Sequence, residues 1–175
     1  MPGGPGAAGA GFVDKMKRQN TQLESEGAEF LVLGQLLIEG VPTYKAYTRN
    51  RGYDLVATNP EKNRAARIQV KSRWATDFDG GFIISNTDQC DFVVFVALNR
   101  GYRFGKKHLA EVAKREPVYY VFPVDIVREA LYEKSSWGKA FLRLVPNVAI
   151  YERNWSLIQD FLLSNASNVS EQDVL

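Results

Sequence analysis

Asp91–Leu98, DFVVFVAL, constrains the fold more than any other segment. Seven apolar residues follow one acid without interruption, and they are mostly β-branched or aromatic. The run is too short for a membrane span and fits a strand buried on both faces. Such a strand needs neighbours beside it and a layer above and below it. The chain has 175 residues, enough for one core of this kind and too few for two full domains.

The flanking segments supply the other elements. The pattern predicts a helix from about Asp14 to Glu39, stopped by Gly40 and Pro42. Extended segments follow at 43–48, 53–58 and 65–73. The last two are joined by Asn59-Pro60-Glu61-Lys62-Asn63, which has strong turn chemistry. Gly80-Gly81 marks a turn before a short strand, Phe82-Ile83-Ile84. Val118–Phe122 is a further buried strand, Pro123 can open a helix running to about Glu133, and a last helix spans 154–163. The expected class is α/β, a mixed central β-sheet flanked by helices. Residues 1–11 are expected to form a disordered leader, 12–163 a single domain and 164–175 a flexible tail.

Hydrophobic residues make up 45% and charged residues 24%, an ordinary globular balance. The longest apolar stretch, 30–38, is broken by Gly34 and Gln35, so no membrane span is expected. The Gly/Ala/Pro-rich start lacks the basic and apolar regions of a secretory signal. Cys90 and His108 are the only residues of their types. They exclude an internal disulfide framework and a His/Cys zinc site. Cys90 reads as a small packed thiol, His108 as a surface residue, and the setting as cytoplasmic.

Net charge is only +2, but its distribution is uneven. Between Lys45 and Arg73, eight basic residues (Lys45, Arg49, Arg51, Lys62, Arg64, Arg67, Lys71 and Arg73) face only Asp54 and Glu61. This predicts a local positive patch, with a solvated hairpin rim as the plain alternative.

Inside that stretch lies a chemical pattern, Gly52-Tyr53-Asp54-Leu55-Val56 before the turn and Arg67-Ile68-Gln69-Val70-Lys71-Ser72 after it. Side chains alternate along a strand, so Gln69 and Lys71 share one face while Ile68 and Val70 take the other. A hairpin symmetric about Glu61-Lys62 sets Asp54 opposite Gln69, on the same face. Magnesium takes hard oxygen ligands. Asp54 offers a carboxylate, Gln69 an amide oxygen and Val70 a backbone carbonyl. Lys71 is then placed to hold or deprotonate a water, or to neutralise transition-state charge. The same three side chains also fit an ordinary exposed hairpin face.

The segment GYDL…IQVKS resembles the core of the PD-(D/E)XK nuclease superfamily in its Q-x-K variant, with Tyr53 where the eponymous proline stands. The superfamily includes restriction enzymes, Holliday-junction resolvases, repair nucleases and homing endonucleases. The resemblance extends through CDFVVFVAL and YYVFPVDIV, covering about 26 to 130. It implies a restriction-endonuclease-like core and a DNA endonuclease dependent on Mg2+, with Mn2+ as a substitute. It implies Asp54, Gln69, Lys71 and Glu29 as catalytic residues, with Asp54, Gln69 and Val70 on the metal. Glu29 is favoured over Glu26 in Gly27-Ala28-Glu29-Phe30-Leu31-Val32…Gly40, which resembles the family's first helix. Both glutamates fall on or beside the expected apolar arc of Leu33, Leu36 and Leu37, where a carboxylate needs a partner; the metal or Lys71 is expected to supply it. Double-stranded DNA is the expected partner, gripped by Arg49, Arg51, Arg67, Ser72 and Arg73. A dimer or higher homo-oligomer is expected because two strands need two sites. The alternative is a catalytically weak nucleic-acid-binding protein of the same fold.

Overall fold

A computed structural model of the chain describes residues 21–47, 52–76, 81–101, 114–132 and 138–164. Its centre is a five-stranded sheet in the order β1 (Thr43–Lys45), β2 (Leu55–Asn59), β3 (Arg64–Arg73), β5 (Phe92–Ala97), β6 (Val118–Pro123). Neighbours pair antiparallel except β3 and β5, which run parallel. The sheet is therefore mixed, as the sequence led us to expect.

DFVVFVAL is the reason the sheet sits in the middle. Phe92, Val94 and Val96 enter one core cluster and Val93 and Phe95 the other, and all five are buried. Helices α1 (Thr21–Ile38) and α3 (Ser156–Leu163) cover the first face. The second face is covered by α2 (Val124–Glu129) and by a two-stranded antiparallel ribbon, β4 (Gly81–Ile83) with β7 (Lys139–Phe141). Each fully buried Leu, Ile, Val or Phe on these faces is worth about 1.5–3 kcal/mol of transfer free energy.

Two expectations are corrected and one element is added. The core stripe of α1 is Ala28, Val32 and Leu36, with Leu33 only partly buried and Leu37 exposed. Pro123 ends β6 in extended geometry instead of opening α2, which stops at Glu129. Of the ribbon, the sequence points only to β4, as the strand at 82–84; β7 has no counterpart there. The leader 1–11, the helix start at Asp14, Arg49, Arg51, Gly80, His108, Trp137 and the tail beyond Ser164 lie outside the described residues. No helix among the described residues is long and apolar enough to cross a membrane.

Candidate active site

The β2–β3 hairpin pairs Leu55 with Ile68, Val56 with Arg67 and so on to Asn59 with Arg64. That is the register symmetric about Glu61-Lys62, and continued by one residue it sets Asp54 across from Gln69. β2 begins at Leu55, leaving the next amide of β3 unpaired on that side. Asp54 uses its side chain there: the Val70 N–H donates to Asp54 Oδ2 at 2.7 Å. The carboxylate is thus fixed to the backbone between Gln69 and Lys71. Its approach is fixed too. A Cβ on Gly52 would lie 2.9 Å from Gln89 Cβ and 3.1 Å from the Asn86 carbonyl. The Gly52 N–H meanwhile donates to Gln89 Oε1 at 2.8 Å. Only glycine fits that approach.

Glu29, Asp54, Val70, Lys71, Ser72 and Arg73 line one cleft of about 570 Å³, between the N-terminal half of α1 and the β4–β7 ribbon. The ribbon contributes Phe82 and Lys139 to the far wall. A second hollow, of about 530 Å³, lies between Pro60 and α3 and contains none of these side chains. Gln69 is not a wall residue. It is buried, and its Oε1 is enclosed with no hydrogen-bond partner among the described residues. An orphaned acceptor of this kind normally costs on the order of 1–3 kcal/mol, and a missing cation or water is the usual explanation. Asp54 Oδ2 is taken by Val70, and Oδ1 is in no hydrogen bond among the described residues. An enclosed amide oxygen, and a carboxylate oxygen in no hydrogen bond among the described residues, are each hard donors of the sort that magnesium takes.

Electrostatics in the cleft follow from burial. Burial pushes the Asp54 carboxyl up, against the Val70 N–H and the charges of Lys71 and Lys45. Burial also raises Glu29, against its hydrogen bond to Lys45. Burial lowers Lys71, opposed by the field of Asp54. All three shifts run toward the uncharged form, as burial dictates.

The expected partner of Glu29 is corrected. Within the protein it is not Lys71 but Lys45, whose Nζ lies 3.0 Å from Glu29 Oε2 and also pairs with Glu26 Oε1. Lys71 feels Glu29 only through space. Lys45 also stands over the ring of Phe30, 4.5 Å from its centroid. Sequence reasoning missed Lys45 because it counted the residue as part of a basic surface. The signal was present in strand alternation, which turns Lys45 back toward α1.

That basic run also splits. β3 is ten residues long, and its ends are roughly 30 Å apart at the usual rise per residue. Arg64 donates to the Ser164 carbonyl at 2.9 Å and stacks on Phe161. Arg67 binds Asp91 through Nη2 at 2.9 Å and Nε at 3.1 Å, outside the cleft. Ser72 and Arg73 do face the cleft, and Arg73 Nη1 donates to the Gly81 carbonyl at 3.3 Å. Arg49 and Arg51 belong to the same expectation but lie outside the described residues.

The five-stranded mixed sheet with helices on both faces is the restriction-endonuclease-like fold. A solved structure of a bacterial homing endonuclease, I-Ssp6803I, superposes with a TM-score of 0.50 at 23% identity, over 81% of this chain and 94% of that one. The Holliday junction resolvase Hjc of Archaeoglobus fulgidus gives a TM-score of 0.43 at 16% identity, over 70% of this chain and 88% of that one. No protein-family model matches the sequence, and no curated protein does.

Proposed function

We propose that the protein is a divalent-metal-dependent endonuclease that hydrolyses phosphodiester bonds in double-stranded DNA. One observation carries this reading: Asp54 is clamped to the Val70 amide in a cleft it shares with Glu29 and a burial-lowered Lys71, with the enclosed Gln69 oxygen unpartnered among the described residues. Asp54, Gln69 and the Val70 carbonyl would hold Mg2+, or Mn2+ in its place. The ion, when bound, supplies polarisation of the scissile phosphate and a more acidic water.

The protein's own residues do the rest. Lys71 accepts a proton from the attacking water when neutral and, once protonated, offsets charge on the phosphorane-like transition state. Asp54 orients the reacting centre because its own rotamer is fixed by Val70. Glu29 is held for use by Lys45. Ser72, Arg73, Arg49 and Arg51 contact backbone phosphates, with Arg67 a weaker contributor because Asp91 already holds it. A duplex has two strands, so the active species is a homo-oligomer.

A second reading has one observation in its favour. With glutamine at 69, the described residues contain no group of three His, Cys, Asp or Glu side chains able to hold a metal ion. The protein would then bind nucleic acid without cutting it. Supercoiled plasmid with Mg2+ separates the two. Nicking by the wild type that Asp54→Ala and Lys71→Ala each abolish supports the enzyme. Salt-sensitive retention of the plasmid with no nicking supports the binder.

A further inference from the structure

Helix α1 has two apolar stripes. Ala28, Val32 and Leu36 form the buried one. On the opposite side, Leu23, Phe30 and Leu37 recur every seven residues and are 72%, 52% and 52% exposed. Leu31 and Ile38, again seven apart, flank them and are exposed too. Between these rows stand Gly27 and Gly34, also seven apart. A Cβ on either would meet nothing within 4 Å, so the protein's own packing does not require glycine there. A helix that is apolar on its outer side as well is normally covered.

The spacing matches a heptad seam, with large residues at one core position and glycine at the other. Strand β1 extends the surface. Leu37 and Tyr44 line one shallow hollow, and Tyr47 lies 5.7 Å from the Lys45 ammonium that also caps Phe30. The exposed parts of these seven side chains amount to roughly 800 Å², about what each partner buries in a standard-size interface.

We propose that this face of α1 seats a second copy of the chain, packed antiparallel about a two-fold axis midway between the levels of Phe30 and Gly34. In that register, Phe30 of one copy lies beside Gly34 of the other, and Leu37 lies beside Gly27. Large meets small in both glycine layers, and a two-fold requires such self-complementarity. Residues 1–20 are the competing occupant, but they offer only Met1, Phe12, Val13 and Met16 as large apolar groups. The pairing would join two clefts through the helices that carry Glu29. It deepens the oligomer of the proposed function by naming its surface. Because it is measured without DNA or metal, it fails or stands separately from the nuclease reading.

The experiment is analytical ultracentrifugation of the full chain and of Gly34→Arg and Leu37→Lys, with thermal melts of each. The wild type is expected to sediment at the dimer mass or an even multiple of it. Each variant is expected at half the wild-type mass, with no loss of helix signal and with a melting temperature that no longer rises with protein concentration, as the wild type's does. Gly34→Ala, which adds one methyl in open space, serves if the charged variants fail to fold, and should weaken association at least about tenfold. A monomeric wild type overturns the proposal, as do variants that keep the wild-type mass. A wild type that associates only after deletion of residues 1–20 assigns the face to that segment and overturns it equally.

Discussion

Lys45 sits among two carboxylates and two rings, with its side chain only 8% exposed. Burial alone would lower its pKa, but the bonds to Glu26 and Glu29 outweigh that and raise it. Its stabilising contribution is therefore full below the ordinary lysine value and is lost as pH rises through the folded one. Lys45→Met should leave the largely buried Glu29 unpaired and lower stability by about 1–3 kcal/mol, discounted for the half-exposed Glu26; urea melts at neutral pH measure it. Asp54 runs the other way. Its folded pKa is raised, so the metal-free folded state holds its proton longer than the unfolded chain. Stability falls as pH rises through the window just above the ordinary aspartate value, and Asp54→Asn should flatten that slope in a pH series of melts. Cys90, pushed up to about 11 by burial, should react with a thiol reagent far more slowly in the native protein than in urea. Equal rates would contradict the packed-thiol reading.

At the level of elements, the hairpin and β5 were legible because their signals are local and one-sided. A turn of Asn, Pro and Asn fixes the β2–β3 register, and a short apolar run rich in β-branched and aromatic residues fits a doubly covered strand. Phe95→Ala, at a fully buried ring of β5, should cost about 3–5 kcal/mol. The inward face of α1 was not legible, since two apolar stripes on one helix leave periodicity without a preference, and Leu37 was assigned to the wrong one. β7 escaped because three residues carry no period. Its partner Gly81 leaves room for Phe141 and Lys139, whose side-chain atoms lie 2.8 and 2.9 Å from where a Cβ on Gly81 would stand. Gly34→Ala should raise helix stability by about 0.5–1 kcal/mol in the isolated protomer, read as a higher melting temperature in dilute solution.

Across the whole molecule, the cleft draws on helix, hairpin and ribbon, three units distant in sequence. The hairpin could therefore be read as a chemical motif, while the Lys45–Glu29 pair and the Lys139 wall required tertiary contacts. If nucleic acid lies along the cleft, retention of a DNA duplex should fall steeply with salt, and Arg73→Ala should reduce the slope by about one counterion. The Val70 amide adds a probe that needs no substrate. Its proton is shared with a carboxylate and not with a neighbouring strand, so its NMR resonance acts as a gauge on Asp54. If Asp54 holds the proposed ion, titrating magnesium should move that peak, and acid should move it as the carboxyl takes up its proton. Site occupancy could then be followed in a protein that has cut nothing.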